Sequence, residues 1–372
     1  MKTIPLARPD ITQREIDAVV EVLQTPNLSL GPKLPEFERA FAEYCGTRYA
    51  VACNSGTSAL HMLMIAAGVG PGDEVIVTPF SFIASANCVL FERGTPVFAD
   101  VDPDTWNIDP KLVEARITDR TKAIIPVDVF GQPADFDPIL AAARAGGRSI
   151  VMIEDSCEAT GATYKGKSAG AIADAGVFGF YPNKQLTTGE GGMIVTDRRD
   201  WADSARSVRN QGRDAGGGWL AHARLGYNFR ISDISCALGI VQLERIDEIT
   251  AARLRVAEMY FERLAGEPRL IHQKVIDGAT VSWFVFVVRL SDEYSREDRD
   301  GILTQLRERG VGCSNYFAPI HLQPFYVERF GFKRGDFPVC ETLADRTMAL
   351  PFHAHLTERE IDTVCTTLKS LL

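Results

Sequence analysis

The sequence predicts an α/β protein: a three-layer α/β/α arrangement around a mostly parallel sheet, with a smaller C-terminal α+β domain. Three observations carry this prediction. From Tyr49 onward, short apolar segments alternate with segments of helical spacing. The apolar segments are apolar throughout, as strands covered on both faces must be. The alternation then ends, and from Trp283 helices and strands are mixed. The change divides the chain into a large domain, 1–250, which includes an N-terminal helical arm, and a small domain, 251–372.

Residues 12–24 and 34–45 have helical spacing, with Ile16, Val19, Val20 and Leu23 on one face of the first and Leu34, Phe37, Phe41 and Tyr44 on one face of the second. Leu28-Ser29-Leu30-Gly31-Pro32 is a turn between them. Strands are expected at 49–53, 74–77, 96–99, 123–127 and 150–153, and helices at 58–67, 81–91, 112–117 and 138–145. Two further apolar runs, Ala175 to Tyr181 and Met193 to Val195, flank a loop. Residues 232–264 read as one long helix. The small domain is expected to hold a strand at 283–290, a helix at 302–309 and a closing helix at 357–371.

Composition narrows the function classes. The chain has 372 residues, 45% of them hydrophobic, enough to bury a sizeable core. A formal charge of −9 without basic runs argues against nucleic acid or a membrane surface as the main partner. The eight cysteines show no CxxC pair and sit mostly in apolar segments. That is the pattern of buried free thiols in a reducing compartment, and it leaves no metal site to predict. With no signal-like apolar start and no apolar stretch long enough to span a bilayer, the expected location is the cytoplasm.

The loop between the two apolar runs reads Pro182-Asn183-Lys184-Gln185-Leu186-Thr187-Thr188-Gly189-Glu190-Gly191-Gly192. Lys184 would sit between buried strands. An amine removed from water loses the hydration that favours its charged form, and it can then act as a nucleophile towards an aldehyde. A solvated lysine on a surface turn is the alternative. Ser55-Gly56-Thr57 follows a strand and opens a helix, where free N–H groups and the helix dipole make a seat for phosphate. An ordinary helix cap accounts for the same residues. Glu154-Asp155 ends a strand, the edge at which ligands of open α/β sheets sit, so Asp155 could hold a proton on a ring nitrogen. Phe82 could stack on a planar ligand or pack in the core. Gly68-Val69-Gly70-Pro71-Gly72 follows a helix and precedes a strand, the reverse of a dinucleotide fingerprint, so a nucleotide-binding dehydrogenase is disfavoured. A phosphate seat, a stacking ring, a strand-end acid and a loop lysine, in that order, together suit pyridoxal phosphate (PLP).

The sequence resembles the DegT/DnrJ/EryC1/StrS family of PLP-dependent sugar aminotransferases, of the aspartate-aminotransferase fold (PLP transferase fold type I), over nearly its whole length. The segments that carry the resemblance are Ser55 to His61, Gly70 to Ile76, Glu154 to Ala159, Asn183 to Gly192 and Gly226 to Asp233. The resemblance implies that Lys184 is the catalytic lysine bonded to the cofactor and that Asp155 pairs with its ring nitrogen. Phe82 and Cys157 then lie on opposite faces of the ring, and Gly56 and Thr57 hold the phosphate. Asn228 would reach the phosphate of a neighbouring subunit, which implies a homodimer with shared sites. Glu158 would lie near the cofactor's phenolic oxygen, and Tyr316 and His321 on the substrate side.

Two positions depart from the family pattern. Phe178-Gly179-Phe180 lacks the phosphate-binding serine that many relatives carry at its centre, and Asp128 stands where relatives often carry histidine. The retained lysine favours transamination, since relatives that dehydrate the sugar carry histidine there. The implied reaction moves an amino group from L-glutamate to a nucleotide-linked keto-sugar by ping-pong chemistry. The Thr187-to-Gly192 ending resembles members acting on 4-keto-6-deoxy sugars, the perosamine synthases among them. A 3-keto sugar or a cyclitol ketone as acceptor, elimination, and a regulatory protein on the same fold are the alternatives.

Overall fold

The structure, a computed structural model, describes residues 3–216, 218 and 220–372. β1 (Tyr49–Cys53), β2 (Glu74–Val77), β3 (Thr95–Phe98), β4 (Thr121–Ile125) and β5 (Val151–Asp155) follow one another with an α-helix between each successive pair. β6 (Thr163–Tyr164) and β7 (Lys167–Ser168) form a small hairpin. β8 (Ala175–Gly179) and β9 (Gly192–Thr196) complete a seven-stranded sheet of order β1-β9-β8-β5-β4-β2-β3. β9 runs antiparallel to both of its neighbours, and every other adjacent pair is parallel.

The strands are apolar through their middles because successive side chains enter different cores. Val75, Val77 and Ile125 pack with Leu60 and Leu63 of the helix Gly56–Ala66, while Ile76, Ile124 and Met152 pack with Phe136 and Ile139 of the helix Phe136–Arg144. A third core joins Ala50, Ala52, Met193 and Val195 to Phe37 and Phe41 of the helix Lys33–Cys45. Fully burying a phenylalanine such as either of these contributes about 1.5–3 kcal/mol.

β10 (Leu270–Ile271), β12 (Phe286–Leu290) and β13 (Thr347–Leu350) form an antiparallel sheet, and β11 (Ala279–Thr280) pairs with β6. The helices Ile246–Leu264, Arg296–Glu308 and Glu358–Lys369 cover the smaller sheet. The last two start on full capping boxes, Ser295 with Asp298 and Thr357 with Glu360.

Several expected elements are corrected. The helix expected over 232–264 is two, Asp233–Glu244 and Ile246–Leu264, broken at Arg245 (φ −101°, ψ 6°). The buried guanidinium of Arg245 pairs there with Asp10, Glu15 and Glu248. The helix expected from Ser81 begins at Ala84, and the strand expected from Trp283 begins at Phe286. The helix Arg199–Arg209 and strand β13 were not expected. Among the described residues, no helix is long and apolar enough to cross a membrane. All eight cysteines are free; seven are buried and Cys157 is half-buried.

Candidate active site

The carboxyl ends of β1, β8 and β5 lie along one edge of the sheet, and antiparallel β9 begins at that edge. A cavity of about 520 Å³ opens there, lined by residues that follow each of these strands.

At the β1 end, Ser55 caps the helix Gly56–Ala66 by accepting the Ser58 N–H at 3.1 Å. The first amides of a helix have no acceptor within it, so Gly56 and Thr57 present N–H groups to the cavity they line. Space here is tight. A Cβ on Gly56 would stand 2.8 Å from the Cys157 sulfur, and a Cβ on Gly192 would stand 2.5 Å from the Ser55 carbonyl carbon. Glycine at these positions lets β9 and Cys157 close directly on the helix start.

At the β5 end, Asp155 is buried with its carboxylate towards the cavity. Its Oδ2 accepts the Ser85 hydroxyl at 2.7 Å and its Oδ1 the Cys157 N–H at 3.2 Å. Burial, together with the charge of Asp155, pushes the Cys157 thiol well up, so it is not a thiolate nucleophile. Glu158 is also buried. Burial raises its pKa, and the Lys184 ammonium and the Phe130 N–H, donated to Oε2 at 2.9 Å, offset part of the rise.

Lys184 occupies the loop between β8 and β9. Its Nζ lies 3.5 Å from Glu158 Oε1 and 4.1 Å from the centroid of the Phe284 ring. The loop is pinned at both ends. The Phe180 N–H donates to the Gly191 carbonyl, and Thr187 Oγ1 donates to the Phe180 carbonyl. Gln185 Nε2 donates to the carbonyls of Glu158 and Ser282, at 2.7 and 2.8 Å. Phe82, Tyr181, Asn183 and Tyr316 line the outer cavity. Phe82 is 62% exposed, so its ring is free to meet a ligand and does not pack in the core. Burial raises the pKa of Tyr316. Asn183 Oδ1 is buried without a hydrogen-bond partner.

These residues fit PLP. A phosphate needs N–H donors, an aldehyde an amine, and a ring nitrogen an acid. The cavity offers the Gly56–Thr57 helix start, Lys184 and Asp155, one for each group. The glycine-walled seat leaves room for the phosphate of such a ligand at the helix start.

Behind the site, Asp128 and Glu154 are fully buried, and their carboxyl groups interact directly. Asp128 also accepts the Ser156 hydroxyl at 2.7 Å and the Ala134 N–H at 3.1 Å, and Glu154 accepts the Gly170 and Ile172 N–H groups at 2.6 and 3.1 Å. Neither forms an ion pair with a cation among the described residues. Burial raises both pKa values, and the Glu154 charge raises Asp128 further while the hydrogen bond from Asp128 offsets part of the rise at Glu154, so the pair keeps a proton near neutrality.

Eight of the ten expected site residues line the one cavity: Gly56, Thr57, Phe82, Asp155, Cys157, Glu158, Lys184 and Tyr316. Asn228 lies outside it, exposed, on a bridge to Asn210. His321 is a correction. It is fully buried, with Nε2 3.0 Å from Glu341 and its ring against Phe337, and it does not line the cavity. The short 3-10 turn Ile320–Leu322 follows Tyr316 and carries His321 into the interior. Ser85, Gln185 and Phe284 were missed. Only Gln185, beside the lysine, left any trace in the sequence.

A sequence model of the DegT/DnrJ/EryC1/StrS aminotransferase family matches residues 9–369. The chain is 42% identical to the GDP-perosamine synthase of Caulobacter vibrioides, over 99% of this chain and 98% of that protein. A candidate sugar aminotransferase of Streptococcus pneumoniae, solved in its PLP form, superposes with a TM-score of 0.92 at 31% identity, over 99% of this chain and 98% of that one. The Helicobacter pylori aminotransferase PseC, involved in the biosynthesis of pseudoaminic acid, superposes with a TM-score of 0.93 at 28% identity, over 100% of this chain and 99% of that one.

Proposed function

We propose a function from one premise: this chain belongs to the DegT/DnrJ/EryC1/StrS aminotransferase family. It is a PLP-dependent sugar aminotransferase acting on nucleotide-linked sugars. Our reading is that it moves an amino group from L-glutamate to the ketone of a 4-keto-6-deoxy nucleotide sugar. The balance is L-glutamate and keto-sugar in, 2-oxoglutarate and amino-sugar out. The observation that carries the assignment is the convergence of Lys184, Asp155 and the Gly56–Thr57 helix start on one cavity. The 42% identity to a GDP-perosamine synthase over nearly the whole chain supports a nucleotide-linked sugar as the acceptor.

PLP, when bound, supplies an aldehyde that accepts the amino group and a ring that withdraws electrons from the neighbouring carbon. The chain's residues do the rest. Gly56 and Thr57 hold the phosphate through main-chain N–H groups. Asp155, fixed by Ser85 and the Cys157 amide, keeps a proton on the ring nitrogen. Phe82 and Cys157, which both line the cavity, would contact the ring. Lys184 secures the cofactor between turnovers; its free Nζ otherwise removes and returns the proton at the reacting carbon. Glu158, 3.5 Å from that amine, holds it in the cavity and would lie near the cofactor's phenolic oxygen. Tyr316, on the rim, meets the sugar. 2-Oxoglutarate leaves before the keto-sugar enters, so a single cavity serves both halves.

The same reading takes residues 1–250 as the large cofactor-binding part and 251–372 as the small part, joined through the helix Ile246–Leu264. It also assigns Asn228 to the cofactor phosphate of a second copy. In support, Asn228 is exposed outside its own cavity, and Ile16, Val20, Leu23, Leu28 and Leu30 leave an apolar strip uncovered near the first helix.

The test is an absorbance spectrum of the purified protein before and after L-glutamate, followed by a panel of 4-keto and 3-keto nucleotide sugars. A visible band that glutamate converts, and turnover with 4-keto acceptors, are expected. A band indifferent to glutamate would overturn the donor, and turnover confined to 3-keto sugars would overturn the acceptor.

A further inference from the structure

Arg253 lies on the helix Ile246–Leu264 and is buried, 3% exposed. A buried guanidinium ordinarily requires a carboxylate. Among the described residues none stands within ion-pair distance of it. Its two terminal nitrogens instead meet four main-chain carbonyls, while Nε is buried without a partner. Nη2 donates to Lys184 O at 3.0 Å and Asn183 O at 3.3 Å, and Nη1 donates to Phe284 O at 3.1 Å and Trp283 O at 3.5 Å. Burial pulls the group down to about 10, still charged at neutral pH.

The acceptors fall in two segments. One carries the catalytic amine. The other carries Phe284, whose ring centroid lies 4.1 Å from Lys184 Nζ. A single side chain therefore ties together the backbone beneath the amine and the backbone beneath the ring that the amine rests on. The planar fork suits this, since its two ends can each reach a different pair of carbonyls. A lysine ammonium is a point charge on a flexible stem and cannot span both pairs.

We infer that Arg253 is a positioning residue for Lys184, clamping the lysine loop to the Phe284 segment through main-chain carbonyls. This rests on the reading of Lys184 as the catalytic amine. The four carbonyl dipoles point at the guanidinium and stabilise its charge without a paired carboxylate.

The test compares wild type with Arg253→Lys and Arg253→Gln. Hydrogen exchange is measured by mass spectrometry on the cofactor-free protein, and steady-state kinetics on the loaded enzyme. Arg253→Lys keeps the charge and the aliphatic stem, so the fold is expected to persist. Exchange over residues 181–187 should rise at least about tenfold while β8 and β9 stay protected, because only the loop is released. In the same variants kcat should fall about 10- to 100-fold with KM for glutamate within about twofold, since misplacement of a reacting group acts on the chemical step. Unchanged loop exchange with kcat within about twofold of wild type would overturn the inference. So would a rise in exchange spread evenly over the chain, which marks a purely structural role. Lys184→Ala, run alongside, separates the two failures. Turnover by that variant removes the reading of the lysine, whereas full dependence on Lys184 with an unmoved loop in Arg253→Lys removes the clamp alone.

Discussion

Asp128→Asn should make this protein more stable at alkaline pH, a result that follows from the buried acid pair behind the site. Folded Glu154 holds its proton up to about 7 against an ordinary 4.5, and Asp128 is raised well above its usual value. Between the unfolded and folded values the folded state binds more protons, so stability falls as pH rises through that window. For Glu154 alone the shift corresponds to about 3 kcal/mol. Asp128 is raised in the same direction, chiefly by burial, and asparagine removes its share outright. The substitution keeps the local bonds: Asn Oδ1 can accept the Ala134 N–H, its amide can donate to Glu154, and the Ser156 hydroxyl rotates to accept. At about 2 cal/mol/K per residue, unfolding the chain carries about 0.8 kcal/mol/K, so 3 kcal/mol is about 4 °C in Tm. Scanning calorimetry at pH 5, 7 and 9 should show wild type losing more in Tm than Asp128→Asn between the extremes, on this scale of degrees. Parallel Tm profiles for the two proteins would refute the proton-sharing pair.

Other predictions concern the site itself. Lys184→Ala should lose turnover by about 10³-fold or more and lose the visible band, with Tm little changed; a variant that still turns over in a stopped assay would sink the mechanism. Asn228→Ala should retain PLP poorly in dialysis, and its mixed dimers with Lys184→Ala should recover activity, since one site of each heterodimer is intact. Random mixing sets the recovery at about a quarter of wild type, and none at all would remove the shared-site reading. Gly192→Ala should destabilise by about 1–3 kcal/mol and weaken PLP binding, because its Cβ would press on the Ser55 main chain, which cannot swing aside. Equal Tm and equal cofactor affinity would show that β9 and the helix start are less tightly joined than the structure has them.

What the sequence revealed, and what it hid, follows from the range of the contacts. The Lys184 loop, the Ser55 cap and the strand-end Asp155 are local arrangements, each written within a few residues, and they were legible. The reversal of β9 was not. A strand buried on both faces is apolar whichever way it runs, so Met193 to Val195 carries no mark of direction. Arg253 was hidden for a related reason. Its acceptors are carbonyls, which every residue has, on segments about 70 and 30 positions away. Arg245 could not be recognised as a helix break because its partners Asp10 and Glu15 lie at the far end of the chain. His321 was misplaced by proximity to Tyr316: one short turn separates a cavity side chain from an interior one.

The order of the strands works as a ruler. Cys53 pairs with Gly192, and Gly192 with Gly179, so the last rungs of β1 and β8 lie in register with the first rung of β9, with β5 and Asp155 on the next rail. The anion seat hangs from β1, the amine from the arch joining β8 to β9, and the acid from β5. The distances between them are counted in strand spacings of about 4.8 Å, set by main-chain ladders. A loop that leaves and re-enters the sheet on adjacent rungs cannot gain or lose length without moving its amine. The rim has no such tether: Tyr181, Asn183 and Tyr316 stand outside the ladder. New acceptor sugars can therefore be accommodated by altering that rim while the three chemical groups keep their spacing.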